Sequence, residues 1–196
     1  WLGNNLITTI DFEIGNLVNL KKLYISELLM DTIPEGVFRL SSLKHLLASN
    51  LGLTSIPSEV ANLQNLTRVN FSENELTDIP EHLLKLNLKH VSLHKNKIST
   101  LPDLAWPRIK TLNLSNNNLT TVNQLANLTT LTELSLADNS LTCLPDLNQL
   151  TSLRGLYLAH NQLTEMTANL PTVLLVDLSH NKLEKINLVA PSMRVL

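Results

Sequence analysis

Residues 131–141 read LTELSLADNSL and residues 153–163 read LRGLYLAHNQL, and the pattern they share determines the predicted fold. Written in full it is Leu-x-x-Leu-x-Leu-x-x-Asn-x-Leu, where x is any residue and another apolar residue can replace a leucine. The pattern occurs six times between residues 66 and 183, and two earlier copies carry Leu28 and Leu51 in the position of the asparagine. Successive copies lie 20 to 23 residues apart, and such a period is typical of a solenoid of stacked repeats.

The repeat predicts both the core and the sheet. A single unit of this length cannot bury its own apolar side chains, so each copy is expected to pack on its neighbours and extend one continuous core. Within a copy the Leu-x-Leu pair alternates between inside and outside, which is typical of a β-strand. The sequence therefore predicts an α/β solenoid in the form of an arc, with a parallel β-sheet on its concave face and short helical, 3-10 or extended segments on its convex face.

The asparagine of each copy has an expected structural role. It follows the strand where the chain turns inward, and its amide can pair with backbone groups that the turn would otherwise bury without a partner. Leu28 and Leu51 have no such amide, so we expect local irregularity at both positions. The predicted ladder of structural asparagines comprises Asn5, Asn74, Asn96, Asn117, Asn139, Asn161 and Asn181.

The convex segments fall into two groups. Three early copies place Ile-Pro before apolar residues at a spacing of three, as in Ile56-Pro57-x-x-Val60-x-x-Leu63. This spacing predicts a short helical or 3-10 turn that begins after the proline. Residues 103–107 and 168–171 are too short for a helix and are predicted to be extended.

Composition argues against several classes of function. A formal net charge of −2 does not favour nucleic-acid binding, which uses a concentrated basic surface. No apolar run approaches the roughly 20 residues that span a bilayer, so we expect no membrane insertion by this segment. We expect one domain over residues 1–196, with about eight full repeats and partial repeats at both ends, and we interpret it as a fragment of a longer array.

The outward positions of the predicted strands form columns in which neighbours lie about 4.8 Å apart. One column begins with Trp1, Tyr24 and Leu47, and exposed aromatic residues are favoured anchors for a partner. An alternative is that this apolar stripe packs on upstream repeats. The middle of the sheet is predicted to be basic and the part beyond Glu133 acidic, which would orient an acidic partner. The predicted partner-binding residues are Trp1, Tyr24, Leu47, Arg68, His90, His94 and Tyr157.

We predict no catalytic site, no cofactor and no metal site. The chain lacks a glycine-rich phosphate loop, a nucleophile elbow and a paired Cys–His motif, and an open sheet offers no water-excluding pocket. Five of the six histidines fall on the predicted concave face. We interpret them by default as surface residues with no special role, and the alternative is a pH-dependent interface, since histidine changes its charge between pH 5 and 8. His160 and His180 occupy adjacent repeats, but two ligands without a nearby carboxylate or thiolate make a poor zinc site.

Two segments carry a family resemblance. Residues 74–80 read NELTDIP and residues 53–57 read LTSIP. They resemble the Asn-x-Leu-Thr-x-Ile-Pro unit of the intracellular, Ras-group class of leucine-rich repeats, and the resemblance covers nearly the whole chain. The shorter later copies look more like the repeats of the phosphatase-regulator type. The resemblance implies recognition of a protein on the concave sheet and no particular partner, because the repeated residues form the scaffold.

We therefore expect a non-enzymatic module that binds a protein partner of unknown identity within a larger signalling or scaffold protein. Two alternatives stay open: a receptor ectodomain or immune sensor that recognises a non-self ligand, and a structural spacer in a multidomain kinase or phosphatase. The single cysteine, Cys143, favours a reducing and hence cytoplasmic location, with an extracellular location as the alternative.

Overall fold

The computed structural model of the chain describes residues 1–196 and is organised around an eight-stranded parallel sheet. Each strand of this sheet is three residues long, and the middle residue of each is buried. The ten strands in chain order are β1 Lys22–Tyr24, β2 His45–Leu47, β3 Arg68–Asn70, β4 His90–Ser92, β5 Thr111–Asn113, β6 Glu133–Ser135, β7 Gly155–Tyr157, β8 Glu165–Asn169, β9 Leu175–Asp177 and β10 Lys185–Val189.

The strand order in this sheet is β1 to β7 followed by β9, so each repeat pairs with the next one in sequence. The pairing register joins equivalent positions of successive repeats, as in Leu23 with Leu46 and Leu134 with Leu156. These inward leucines belong to one cluster of 53 buried hydrophobic residues, which extends from Leu23 to Leu178. The predicted parallel sheet with a continuous core is confirmed.

Helical turns on the convex face begin where the sequence predicts them. Pro34, Pro57 and Pro80 each stand in the N-cap position with extended backbone, and a turn of helix follows directly. The apolar residues at a spacing of three, such as Val60 and Leu63, are fully buried. The 3-10 helices are Phe12–Asn16, Glu35–Arg39, Ser58–Asn62 and Asn123–Asn127, and the α-helix α1 is Glu81–Leu84.

One convex segment is filled by a tryptophan in place of a helix. Residues 101–106 form neither helix nor strand and residue 107 begins a turn, so the predicted absence of a helix from residues 103–107 is confirmed. Trp106 lies within it with 1% of its surface exposed, and its Nε1 donates a hydrogen bond to the carbonyl oxygen of Leu83 at 3.3 Å. The indole thus supplies volume that the helical side chains supply in the preceding repeats.

A second, smaller sheet lies on the convex face near the C-terminal end. Strands β8 and β10 pair in parallel, with Met166 opposite Ile186 and Ala168 opposite Leu188. The sequence predicts extended backbone from residue 168, and the strand in fact begins three residues earlier. Met166 and Ala168 are buried because alternate residues of β8 face the core. None of the helices is long and apolar enough to cross a membrane.

Candidate functional site

The asparagine ladder holds the turns that follow the strands. In Asn117, Nδ2 donates to the carbonyl oxygens of Leu93 and Leu114 at 3.0 Å, and Oδ1 accepts from the N–H of Ile98 at 3.0 Å. One side chain therefore joins its own turn to that of the preceding repeat. Asn5 differs, because its amide donates only to Leu2 and Gly3. Equivalent bonds are made by Asn74, Asn96, Asn139, Asn161 and Asn181.

Leucine in the asparagine position disturbs the turn less than the sequence predicts. Leu28 and Leu51 are both buried, and the preceding residues keep the turn conformation of the other repeats. The expected irregularity is therefore wrong for the turn at Leu28. At Leu51 it is limited to the next residue, Gly52, whose φ of 75° occurs in this repeat alone. Apolar burial in the core compensates for the missing amide.

Two columns of outward side chains cover the concave face. Residues in each column are direct strand partners, at a spacing of about 4.8 Å. The first residues of the strands form a column that is basic from Lys22 to His90 and acidic at Glu133, and the third residues form a column that is apolar or aromatic at Tyr24, Leu47 and Tyr157. The first column is Lys22, His45, Arg68, His90, Thr111, Glu133, Gly155 and Leu175, and the second is Tyr24, Leu47, Asn70, Ser92, Asn113, Ser135, Tyr157 and Asp177.

Two shallow depressions adjoin each other on this face. One of about 330 Å³ is lined by residues that include Leu47, Arg68 and His90. The other, of about 290 Å³, is bounded by Tyr157 at its far end. Glu133 lines both depressions, so they form one continuous surface from β2 to β7.

Tyr157 is positioned by a glycine two residues before it. A Cβ atom added to Gly155 would lie 3.2 Å from Cε2 and 3.3 Å from the hydroxyl of Tyr157. The aromatic ring therefore lies over Gly155, at the edge of the smaller depression. A side chain at residue 155 would make a tight contact with the ring, which would have to shift by a few tenths of an ångström.

Three histidines of the concave face, His45, His90 and His94, have a lowered pKa and are mainly neutral at neutral pH. Burial, followed by the positive charge of Arg68, lowers the pKa of both His45 and His90. The pKa of His94 is lowered by burial and then by Lys95. The expected basic middle of the sheet therefore owes its charge at neutral pH to Arg and Lys side chains.

The comparisons with known proteins agree with this architecture. A family description that reads Leucine Rich Repeat matches residues 108–128, and one that reads Leucine Rich repeats (2 copies) matches residues 129–172. A leucine-rich repeat protein of Leptospira interrogans has 31% identical residues and a TM-score of 0.76, over 93% of this chain and 55% of that one. The chain thus spans little more than half the length of that protein. No curated protein sequence matches it.

This chain is a leucine-rich repeat protein. Two further structures of the same architecture are similar to it. YopM of Yersinia enterocolitica is 26% identical, with a TM-score of 0.75 over 90% of this chain and 37% of its own. The other is the ectodomain of the Arabidopsis receptor kinase HAESA, in complex with an IDA peptide hormone ligand that is extended at its N-terminus. It is 28% identical to this chain, with a TM-score of 0.71 over 89% of this chain and 32% of its own.

The predicted partner-binding residues of this leucine-rich repeat protein fall into separate groups. Trp1 is 93% exposed and its ring meets that of Tyr24 edge to face, at 5.6 Å between centroids. Leu47 is the strand partner of Tyr24, and Arg68 and His90 continue across the next two strands in the other column. Tyr157 lies six strands from Tyr24, or about 29 Å. His94 follows β4, with its Nδ1 at 3.5 Å from Oγ of Ser115.

Some outward positions of the repeats have a structural role that the sequence analysis missed. Oδ1 of Asn70 accepts hydrogen bonds from both the N–H and the hydroxyl of Ser72, at 3.0 and 2.6 Å. Asn113 and Asp177 make the same two bonds with Ser115 and Ser179. These bonds lower the pKa of Asp177. The signal in the sequence is Asn or Asp followed two residues later by Ser.

The residue before each asparagine position adopts a left-handed backbone, with φ between 51° and 59°. These residues form a further column, whose conformation the sequence analysis did not predict. Neighbours within the column interact: Nζ of Lys95 lies 3.2 Å from Oε2 of Glu73, and the rings of His160 and His180 stack at 4.1 Å. The frequent Asn and Asp in this column were the available signal, because these residues tolerate positive φ.

The structure has no group of three or more His, Cys, Asp or Glu side chains that could hold a metal ion. The stacked rings of His160 and His180 are nearly parallel, with 8° between their planes. A face-to-face pair of this kind does not aim two nitrogens at one point between the rings.

Proposed function

We propose that this leucine-rich repeat segment is a non-enzymatic interaction module that docks a protein partner on its concave face. One observation supports this most strongly. The outward side chains of strands β2 to β7 line two adjoining depressions, in which Leu47, Arg68 and Tyr157 offer apolar, cationic and aromatic contacts on one surface. Such a mixture is typical of protein-binding sites.

The size of the face suits a protein interface. Eight strands at about 4.8 Å span about 34 Å, and a standard interface of about 800 Å² per partner covers several adjacent strands. We propose the N-terminal and middle strands as the main contact, with Tyr157 as a separate contact near the other end. The proposed partner-binding residues remain Trp1, Tyr24, Leu47, Arg68, His90, His94 and Tyr157.

The relatives support a polypeptide as the partner. The HAESA ectodomain, which shares the fold and 28% of its residues with this chain, is described in complex with a peptide hormone ligand. By analogy we propose that the concave face of this chain also binds polypeptide. This likeness also favours a receptor ectodomain as the second candidate function.

We further propose that the module is one domain of a larger signalling or scaffold protein and that it is located in the cytoplasm. Cys143 is exposed and unpaired, and an exposed free thiol is typical of reducing compartments. The Ras-group resemblance of residues 74–80 supports the same location. Identification of the partner would test both proposals, because a cytoplasmic protein and a secreted ligand are readily distinguished.

The proposed function predicts the result of affinity capture from a native lysate. The wild type is compared with a Tyr24→Ala, Leu47→Ser, Arg68→Glu triple variant, in which every buried leucine of the repeats is retained. We expect one protein to be captured by the wild type and lost with the triple variant, because the variant removes outward contacts only. Mass spectrometry identifies the protein, and circular dichroism verifies that the variant is folded.

A matched control changes the same number of exposed residues on the convex face. Lys185→Glu, Ile186→Ala and Val189→Ser all lie in β10 and leave the concave face unchanged. This control is expected to capture the partner as the wild type does. Equal capture by the wild type and the concave variant would refute docking at this face. Capture of nothing by any variant would favour the receptor ectodomain or the structural spacer.

A further inference from the structure

We propose that the docked partner segment is acidic, and that its carboxylates lie along a basic ladder formed by Lys22, His45, Arg68 and His90. This inference deepens the proposed function and rests on it. The basic ladder occupies four consecutive strands, β1 to β4, and each member is the direct strand partner of the next. Its members therefore stand about 4.8 Å apart, on the face of the sheet that lies opposite the core.

The basic ladder has no counter-ion within the molecule. The two ion pairs of the chain join Lys95 to Glu73 and Lys97 to Glu75, and neither includes a member of the ladder. Lys22 and Arg68 are exposed, and the two histidines are half-buried. At neutral pH the unpaired charges of Lys22 and Arg68 attract and orient an anionic partner, and the two histidines add positive charge when they are protonated.

The surroundings of the basic ladder favour an acidic polypeptide over a nucleic acid. Tyr24 and Leu47 stand two residues further along the first two strands, so an apolar column runs beside the cationic one. Glu27 is exposed just beyond these columns, without an ion pair, and would repel a continuous phosphate backbone. A peptide can place carboxylates on the ladder and apolar side chains on Tyr24 and Leu47, since its side chains alternate.

Protonation of His45 and His90 at acidic pH increases the positive charge of the basic ladder. In the free protein, burial and the charges of Arg68, Lys22 and Lys44 lower the pKa of His45. The pKa of His90 is lowered by burial, Arg68, His45 and Lys89, while Glu133 opposes this effect. Bound carboxylates raise both pKa values relative to the free state. Binding therefore takes up protons, and affinity increases as the pH falls through the titration range of the bound histidines.

The test uses a library of random peptides of about ten residues, because an extended chain of this length spans about 33 Å, the width of the sheet. Selection on the wild-type protein at neutral pH is expected to enrich peptides in which Asp or Glu accompany apolar residues. Affinity is then measured by fluorescence anisotropy with a labelled selected peptide. An oligodeoxythymidine of about ten nucleotides serves as the competing anion. Selected peptides without enrichment of Asp or Glu, or equally tight binding of the oligonucleotide, would overturn the proposal.

Variants of the ladder residues test whether the selected peptide binds at the basic ladder. Lys22→Glu with Arg68→Glu is expected to lower the affinity for the selected peptide about tenfold or more, because the reversed charges repel its carboxylates. Lys185→Glu reverses a single positive charge on the convex face and is expected to leave affinity unchanged. His45→Gln with His90→Gln is expected to keep the affinity measured near pH 8 and to lose its increase near pH 6. Unchanged binding by the Lys22→Glu, Arg68→Glu variant would refute the ladder.

A further variant separates failure of this inference from failure of the proposed function. Tyr24→Ala with Leu47→Ser removes apolar contacts and leaves the basic ladder intact. If this variant no longer binds the selected peptides while the charge-reversed variant still binds them, the peptides dock on the concave face but the proposal of an acidic partner is refuted. If both variants retain them, both proposals fail.

Discussion

At the scale of single residues, some positions of the repeat stabilise the fold and others are exposed and free to contact a partner. Asn117 is 8% exposed and connects the turn of its own repeat with Leu93 and Ile98 of the preceding one. Asn118, next to it, is exposed and makes no side-chain hydrogen bond. Asn117 and Asn118 are therefore expected to contribute different amounts to the free energy of unfolding.

Replacement of Asn117 by alanine tests this division. We expect Asn117→Ala to lower the free energy of unfolding by about 2–4 kcal/mol, because it leaves the N–H of Ile98 and the carbonyls of Leu93 and Leu114 buried without this partner. Urea denaturation followed by circular dichroism gives the value. Asn118→Ala is the control, with an expected change below about 0.5 kcal/mol. Equal effects of the two substitutions would contradict the assigned role of Asn117.

The sequence predicted those features of single residues that recur in successive repeats. The asparagine position is visible because the same residue recurs at a fixed distance from the leucines. The left-handed position before it holds residues as different as Glu73, Lys95 and His160, so no single residue type marks it. The contact between Gly155 and Tyr157 depends on the direction of one side chain, which the repeat pattern does not specify.

At the scale of elements, the convex segments differ while the strands stay constant. Prolines with fixed φ start the helical turns in three repeats, whereas Trp106 occupies one of the segments that lack a helix. The strand register is independent of this change, since β4 and β5 pair in the same register as the other strands. The sheet therefore tolerates convex segments of different structure.

Trp106 is expected to be the main stabilising residue of its segment. We expect Trp106→Ala to lower the free energy of unfolding by about 3–5 kcal/mol, because it creates a cavity and removes the hydrogen bond to the carbonyl of Leu83. Trp106→Phe should have a smaller effect, since it keeps most of the apolar volume. Urea denaturation of both variants measures these effects. A loss below about 1 kcal/mol for Trp106→Ala would show that the segment collapses around the cavity or that the indole contributes little.

The sequence predicted the type of most elements and missed one pairing. Helical turns after Pro34, Pro57 and Pro80 followed from local spacing, because proline fixes the start of each turn. The pairing of β8 with β10 joins segments 20 residues apart. Extended backbone can be predicted from a short segment, but its partner depends on how two neighbouring repeats pack, which local patterns do not contain.

At the scale of the whole molecule, the buried pattern is repeated and the concave surface is not. Inward positions are leucine or another apolar residue in every strand, whereas the outward columns range from Lys22 through Arg68 to Glu133. The sequence predicted these columns because strand side chains alternate. It could not predict that burial and neighbouring cations keep His45 and His90 mainly neutral, because this depends on distances between repeats.

Docking of a partner on the concave face is the central claim, and site-specific photocrosslinking tests it most directly. A photoreactive phenylalanine derivative replaces Leu47 on the concave face in one variant and Val189 in β10 on the convex face in another. Both variants are irradiated in native lysate, and crosslinked proteins are identified by mass spectrometry. The account predicts one protein crosslinked from position 47 and absent from position 189. Crosslinking of the same protein from position 189 alone, or equally from both positions, would contradict it.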